Sequence, residues 1–188
     1  METHFLKPKI KEKFIHIILI FLAVLLTMVI HEFGHYITGN ALGNSMAMDL
    51  NGTRPIHGNF VEKWHLPIVA ISGTIFTLLQ AFIFLLLLVI FQTQSLYPFL
   101  IYPLIYRLVP YIVSLLNPER LGRQDKAQFA QYFGFNPWLL IVPVLILLFI
   151  FVYKGTKKVD INWRQISFTT IMSIIFTIII LFINQVIF

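Results

Sequence analysis

The sequence predicts an all-α membrane protein with about five transmembrane helices and room for a short β-hairpin in the first loop. Of the 188 residues, 58% are hydrophobic and only 12% are charged, and the mean hydropathy is +0.83. Soluble domains have about 45–50% apolar and about 25% charged residues, so most of this chain must be solvated by lipid. The apolar residues form long runs and do not alternate with polar ones, which excludes a transmembrane β-barrel.

Five segments meet the requirement of about 20 mostly apolar residues for a membrane-crossing helix. They cover residues 14–38, 66–92, 97–117, 137–153 and 166–188. The third segment is the least regular, because it contains Pro103, Arg107 and Pro110. The apolar run that opens the first segment is longer than the core of a signal peptide. We therefore expect this segment to be retained as a span.

The distribution of Lys and Arg predicts an orientation in the membrane. The chain has 14 Lys and Arg against 8 Asp and Glu, a net charge of +6. Eight of the basic residues flank the side that carries the N-terminus and five flank the other side. This asymmetry favours a cytoplasmic N-terminus, and we expect a multi-pass protein of a prokaryotic plasma membrane. No basic stretch is interleaved with exposed aromatic residues, so nucleic acid is excluded as a partner.

The longest polar stretch, residues 39–65, links the first two spans. Asn51-Gly52 suits a type I′ turn, so a β-hairpin over residues 46–56 and an irregular loop are both compatible with this stretch. The chain has no cysteine. Any metal site must therefore be built from imidazole and carboxylate groups.

The strongest chemical signal is the motif His31-Glu32-Phe33-Gly34-His35. On a helix, residues i and i+4 share one face, so His31 and His35 can converge on one zinc ion. Glu32 lies about 100° around the helix, where it can take a proton from a metal-bound water without binding the metal. Roughly 0.005 such motifs are expected by chance in this chain. The spacing predicts a zinc site.

The position of the motif along the first span supports this interpretation. His31 lies about 26 Å along the helix from Phe14, near the far edge of a hydrocarbon core of about 30 Å. Three ionisable groups at membrane depth would cost about 2.5–3.5 kcal/mol each, and a divalent cation offsets that cost. The alternative is that the motif lies among lipid headgroups, where polar residues are inexpensive.

Two histidines leave zinc one protein ligand short of a catalytic site. The candidates on the same side of the membrane lie in the first loop or follow the third span: Asp49, His57, Glu62, His65, Glu119 and Asp125. Glu119 could instead pair with Arg120 or Arg123. Arg107 could counter a carboxylate near the site, although a structural role is favoured.

Three stretches together resemble the site-2 protease family of intramembrane zinc metalloproteases, in its small form without a PDZ domain. They are the His-Glu-x-Gly-His of the first span, Gly73-Thr74-Ile75-Phe76-Thr77 of the second, and Asn117-Pro118 followed by Asp125. In the second stretch, the family's Pro and Asn are replaced by Thr74 and Thr77. After Asp125, the usual glycine is Lys126. The resemblance covers about residues 14–130, and the two spans in 137–188 lie outside it, within a single transmembrane domain of residues 1–188.

The resemblance implies that Asp125 is the third zinc ligand and that Glu32 is the catalytic base. It implies that Thr77 and Asn117 bind substrate. The expected activity is hydrolysis of peptides or single-span proteins in the lipid bilayer, with one zinc ion per chain.

Two other functions are compatible with the motif. A zinc transporter would need further ligands on a neighbouring span, and no span besides the first carries a buried His, Asp or Glu in its sequence. A non-catalytic membrane protein related to the proteases is compatible with the two threonine replacements in the second span.

Overall fold

The structure, a computed structural model, describes residues 6–187. Over these residues the chain forms six α-helices and one two-stranded antiparallel sheet. In chain order the elements are α1 (Leu6–Ala41), β1 (Met46–Asp49), β2 (Gly52–Pro55), α2 (His65–Phe91), α3 (Tyr97–Leu116), α4 (Asp125–Phe133), α5 (Trp138–Lys158) and α6 (Trp163–Ile187). The predicted all-α membrane fold is confirmed.

Five of the helices in the described part of the chain are long and apolar enough to cross a membrane. The spans are Glu12–Ala41, His65–Phe91, Gln94–Leu116, Trp138–Lys158 and Trp163–Val186. Each contains or closely overlaps one predicted segment, including the irregular third one. Pro103 and Pro110 lie inside α3 without ending it, although each removes one backbone hydrogen-bond donor.

Helix α2 is central to the bundle, because it packs against α1, α3, α4 and α5. Helices α1, α2 and α3 run up, down and up through the bundle, because each follows directly on the one before. One end of the bundle therefore contains the end of α1, the hairpin, the start of α2, and α4. The apolar core lies mainly towards the opposite end. Its fully buried members include Ala23, Val24, Met28, Leu88, Leu100 and Tyr102.

The side chains on the outer surface of the bundle are also apolar. Exposed examples lie on all five spans: Phe14, Ile75, Leu79, Ile112, Phe149, Ile178 and Phe182. A soluble domain rarely leaves so much large apolar surface uncovered. This surface therefore agrees with a multi-pass protein whose outer face contacts lipid.

The first loop contains the hairpin, but its turn lies one residue before the predicted position. Asp49 pairs with Gly52, so Leu50 and Asn51 form the turn and Gly52 already belongs to β2. Neither turn residue has a positive φ, which excludes the expected type I′ geometry. The Asp49 Oδ1 atom accepts a hydrogen bond from the Asn51 backbone N–H at 2.8 Å. This Asx turn takes the place of the expected type I′ turn.

Helix α4 is short, and both of its ends follow from local sequence. Asp125 is in its first turn, where the helix dipole favours a negative charge. Gly134 ends the helix with a φ of 73°, and its N–H donates to the carbonyls of Ala130 and Gln131, as left-handed glycine caps do. The chain thus places a carboxylate at the helix end that follows the third span.

Candidate metal centre

The two histidines of the motif lie one above the other on the inner face of α1. Their exposed fractions are 3% for His31 and 7% for His35. The two Nε2 atoms are 3.1 Å apart, and the rings meet edge to face. The four-residue spacing therefore brings two imidazole nitrogens to one point inside the bundle.

Asp125 brings a carboxylate to the same point from α4. Its Oδ2 atom lies 3.1 Å from His31 Nε2 and 3.7 Å from His35 Nε2. Two ligands about 2.0–2.1 Å from one tetrahedral zinc ion are about 3.3–3.4 Å apart. The three separations scatter around this value, so the spacing of the three donor atoms is compatible with a single metal ion.

The second nitrogen of His35 fixes which atom is free to bind a metal. His35 Nδ1 lies 2.6 Å from the backbone carbonyl oxygen of Val69. A carbonyl only accepts hydrogen bonds, so Nδ1 carries a proton and Nε2 is the nitrogen that faces His31 and Asp125. Metal-bound histidines are commonly oriented by a carbonyl in this way.

Gly73 of α2 allows the two histidine rings to lie where they do. A Cβ atom added at Gly73 would overlap the rings of both His31 and His35. A Cβ atom on Gly34 would come within 3.1 Å of the Gly73 Cα atom. The two glycines thus bring α1 and α2 into close contact, and Gly73 also leaves room for the imidazoles.

Glu32 lies on the side of the cluster that opens towards the hairpin. The residue is only 5% exposed, and its Oε2 atom lies 2.9 Å from the Thr53 hydroxyl on β2. Glu32, His35 and Asp125 together line a cavity of about 240 Å³, which is bounded on another side by Gly52–Pro55. The Glu32 carboxylate therefore borders the same cavity as two of the three candidate metal ligands.

Arg107 of α3 completes the cluster. Its Nη1 atom donates to Asp125 Oδ2 at 3.4 Å, and its Nη2 atom contacts both ring nitrogens of His31. A charge within a membrane span costs about 2.5–3.5 kcal/mol on insertion scales, and the Asp125 carboxylate offsets part of this cost. The less favoured alternative from the sequence, a counter-charge beside the site, is the one that the contacts match.

The charges around Asp125 act on its protonation. Burial alone would raise the pKa of this carboxyl group, but hydrogen bonds to His31 and His35 and the charge of Arg107 outweigh burial. The pKa of Asp125 is therefore well below its usual range, and the carboxylate is ionised at neutral pH. Burial and the charge of Arg107 hold the pKa of the next residue, Lys126, well below its usual value, and its Nζ donates to the Tyr111 hydroxyl at 2.8 Å.

The remaining predicted residues differ in how close they come to the cluster. Thr77 is buried, with its hydroxyl 3.4 Å from both His31 Nδ1 and Arg107 Nη2 and donating to the Gly73 carbonyl. Asn117 is exposed, and its backbone N–H caps the end of α3. The roles of both in substrate binding stay predictions.

Among the described residues, His31, His35 and Asp125 form the one group of three His, Asp or Glu side chains with converging ligand atoms. The alternative ligands are placed elsewhere. Glu119 and His57 are exposed, and the ring of His65 is paired with the side chain of Asn44. The geometry thus favours Asp125 among the candidates that the sequence left open.

Two contacts at the site were not predicted from the sequence. The Thr53–Glu32 hydrogen bond depends on how the hairpin folds back onto α1, and no local pattern indicates it. The Lys126–Tyr111 contact joins α4 to α3, and it too depends on packing between distant segments. For Arg107, a charge inside an apolar run was the available signal.

Comparison of the chain with protein-family models, with curated proteins and with solved structures finds no match. The resemblance to the site-2 protease family therefore stays a prediction from the three motifs.

Proposed function

We propose that this protein is an intramembrane zinc metalloprotease that hydrolyses peptide bonds of membrane-embedded or membrane-associated peptides and proteins. The observation that carries the proposal is the convergence of His31 Nε2, His35 Nε2 and Asp125 Oδ2 at separations suited to one tetrahedral ion. The position of Glu32 beside the same cavity supports it further. Two histidines, a carboxylate and a separate glutamate are the groups that metal-assisted hydrolysis uses.

His31, His35 and Asp125 would hold the zinc ion, and three protein ligands leave one position for water, as in catalytic sites. When bound, zinc would supply a Lewis acid that makes water more acidic and stabilises negative charge on a carbonyl oxygen. The chain itself would orient the ligands. The Val69 carbonyl holds the His35 ring, and the glycine at position 73 gives both rings their space.

Glu32 would act as the general base and then as the general acid. Its carboxylate would accept a proton from the attacking water and later deliver it to the leaving amine. The Thr53 hydroxyl donates to Glu32, which would keep the carboxylate directed towards the cavity.

The substrate would lie in an extended conformation along the hairpin. A helical peptide hides its carbonyl groups in internal hydrogen bonds, so it must unwind before hydrolysis. Strand β2 lines the cavity beside Glu32 and Asp125, and an extended peptide could add to its edge through backbone hydrogen bonds. Such binding selects weakly by side chain, so peptides and single-span proteins would be selected mainly by access.

The charge asymmetry supports a cytoplasmic N-terminus. With that orientation, the metal centre and the hairpin lie at the end of the bundle away from the cytoplasm.

The substitution Glu32→Gln tests the proposal most directly. We expect the variant to retain one zinc ion per chain, because Glu32 is not a ligand, and to lose cleavage of a membrane peptide in detergent or vesicles. Glu62→Gln in the exposed first loop makes the same chemical change and is the control, with normal activity expected.

Two results would contradict the proposal. Cleavage by zinc-loaded Glu32→Gln at the normal rate would remove Glu32 from the role of base. A zinc-loaded wild-type protein that cleaves no membrane peptide would identify a non-catalytic metal-binding protein instead.

A further inference from the structure

Arg107 contacts the candidate metal-binding cluster directly, although the sequence alone favours a structural role for this residue. It is 5% exposed and lies in the middle of α3, within a membrane span. Its guanidinium group reaches both Asp125 and His31. Among the cations of the described residues, Arg107 is the one whose side chain contacts the ligand atoms.

The guanidinium group of Arg107 does not use all of its hydrogen-bond donors, as an arginine with a purely structural role would be expected to do. Its Nε atom is buried and has no hydrogen-bond partner among the described residues. Its Nη2 atom faces His31 and Thr77, at 3.4 Å from the threonine hydroxyl. Buried polar groups are nearly always paired, so an unpaired donor in the interior calls for an explanation other than stability.

The aromatic surroundings keep the charge of Arg107 effective. The guanidinium carbon lies 5.2 Å from the centre of the Tyr106 ring, and the same ring packs against His31 at 5.6 Å. Tyr106 thus borders both groups and excludes water from that side. In such a low-dielectric environment a fixed charge acts on its neighbours much more strongly than in water.

We infer that Arg107 gives the centre one net positive charge and thereby tunes it to bind an anionic oxygen. This inference rests on the proposed function. The negative charges of Asp125 and Glu32 together cancel the two positive charges of a divalent ion. The guanidinium group of Arg107 then gives the centre a net charge of +1. The negative charge that develops on the carbonyl oxygen of a peptide bond under attack neutralises that excess. Preorganised charge of this kind favours the transition state over the neutral substrate.

This inference and a purely structural role predict different results for metal binding. If Arg107 only braces Asp125, its removal should loosen the carboxylate and weaken metal binding. If Arg107 supplies charge, its removal relieves repulsion of the metal cation, so metal affinity should stay equal or rise while affinity for anions falls.

The experiment uses the full chain in detergent, loaded with Co²⁺, and inorganic phosphate as the anionic probe. The visible absorption of Co²⁺ reports phosphate binding without any turnover. For Arg107→Gln we expect one Co²⁺ per chain at undiminished affinity and a dissociation constant for phosphate raised by about tenfold or more. Arg164→Gln, which removes the same charge from an exposed position at the other end of the bundle, should leave phosphate binding unchanged.

Arg107→Lys provides a second test that does not depend on the stability of the glutamine variant. Lysine keeps the charge but cannot contact Asp125 and His31 together, so we expect phosphate affinity within about threefold of the wild type. If wild type cleaves peptides, Arg107→Gln should lower kcat with little change in KM.

Unchanged phosphate affinity in Arg107→Gln, or a Co²⁺ affinity lowered about tenfold in both variants, would overturn the inference. The phosphate titration needs no cleavage, so its outcome is separate from that of the proposed protease activity. An inactive wild-type protein with normal phosphate binding would refute the protease function and leave the role of Arg107 standing.

Discussion

Helix α1 carries His16 near the start of its membrane span and the His31–His35 pair in the second half of the span, and the two places have different surroundings. His16 is half-buried, its Nε2 atom lies 3.1 Å from the Thr169 hydroxyl, and its ring stacks on Phe168. His31 lies against His35, Asp125 and Arg107. Both are histidines on one apolar helix, yet only the second is part of a group that can hold a metal.

The cavity beside His16 and the cavity beside Glu32 and Asp125 also differ. The space beside His16 has a volume of about 720 Å³, three times that of the cavity beside Glu32 and Asp125. Its lining is mixed and includes the Glu12 carboxylate together with amide, basic and apolar side chains. In the described part of the chain, however, His16 belongs to no group of three side chains with converging ligand atoms. The comparison shows that convergence of ligand atoms, and not the size of a cavity, distinguishes a candidate site.

The largest difference between the two ends should appear when a ligand is removed. We expect Asp125→Asn to lower zinc content from about one per chain to below about 0.1 after dialysis and to abolish cleavage, because a neutral amide is a poor zinc ligand. Zinc content is measured by elemental analysis.

Two matched variants sharpen this prediction. Glu119→Gln removes the alternative carboxylate beside α4, and His16→Asn removes the histidine at the other end, and both should retain zinc. Full zinc content in Asp125→Asn, or loss of zinc in Glu119→Gln, would contradict the assignment of Asp125 as the third ligand.

A smaller effect is expected from adding one methyl group at each end of the bundle. At Gly73 the added Cβ atom meets two imidazole rings that are held in place, whereas at Gly155 it meets the flexible end of the Leu100 side chain. We expect Gly73→Ala to weaken zinc binding by about tenfold or more, and Gly155→Ala to leave it unchanged, since only flexible neighbours can move aside cheaply.

Competition titration with a zinc-binding dye gives both dissociation constants. Equal zinc affinity in the two variants would mean that the rings tolerate displacement and that the close approach of α1 and α2 does not set the ligand geometry.

The smallest effect concerns the hydroxyl group that the hairpin contributes. Thr53→Val has nearly the same shape but cannot donate to Glu32, and a hydrogen bond to a charged group contributes about 1.5–3 kcal/mol. We expect kcat for peptide cleavage to fall by roughly tenfold to a hundredfold with zinc content unchanged.

Thr53→Ser keeps the hydroxyl and should retain most of the activity. In a Glu32→Gln background, Thr53→Val should cause no additional loss, because the group that it orients has been removed. An equal loss in the serine and valine variants would point to packing of the hairpin and not to the hydrogen bond.

The sequence predicted those parts of the molecule that depend on local pattern. The five spans follow from long apolar runs, and the pairing of His31 with His35 follows from the helical repeat. Asp125 was reached only through a resemblance, because its approach to α1 depends on how the third span and α4 pack. The hairpin was one of two alternatives, and its turn was placed one residue too late because the Asp49 side chain stabilises a turn at Leu50 and Asn51.

Arg107 shows where local reasoning fails. A cation inside an apolar span indicates a polar partner nearby, but its sequence position does not say which one. The partner, Asp125, lies 18 residues further along the chain, beyond the end of α3. Contacts between separate elements, such as this one and that of Thr53 with Glu32, require the packed structure.

The distance along the chain between the histidines and Asp125 has a consequence for the order of biosynthesis. His31 and His35 leave the ribosome roughly 90 residues before Asp125, a delay of roughly 5–20 s at about 5–20 residues per second. During that interval the first span carries its imidazoles and Glu32 into the bilayer without the carboxylate of α4. The nascent chain therefore cannot bring its three candidate metal ligands together until three spans have been synthesised. If the protein is the protease that we propose, it stays inactive until that point of translation.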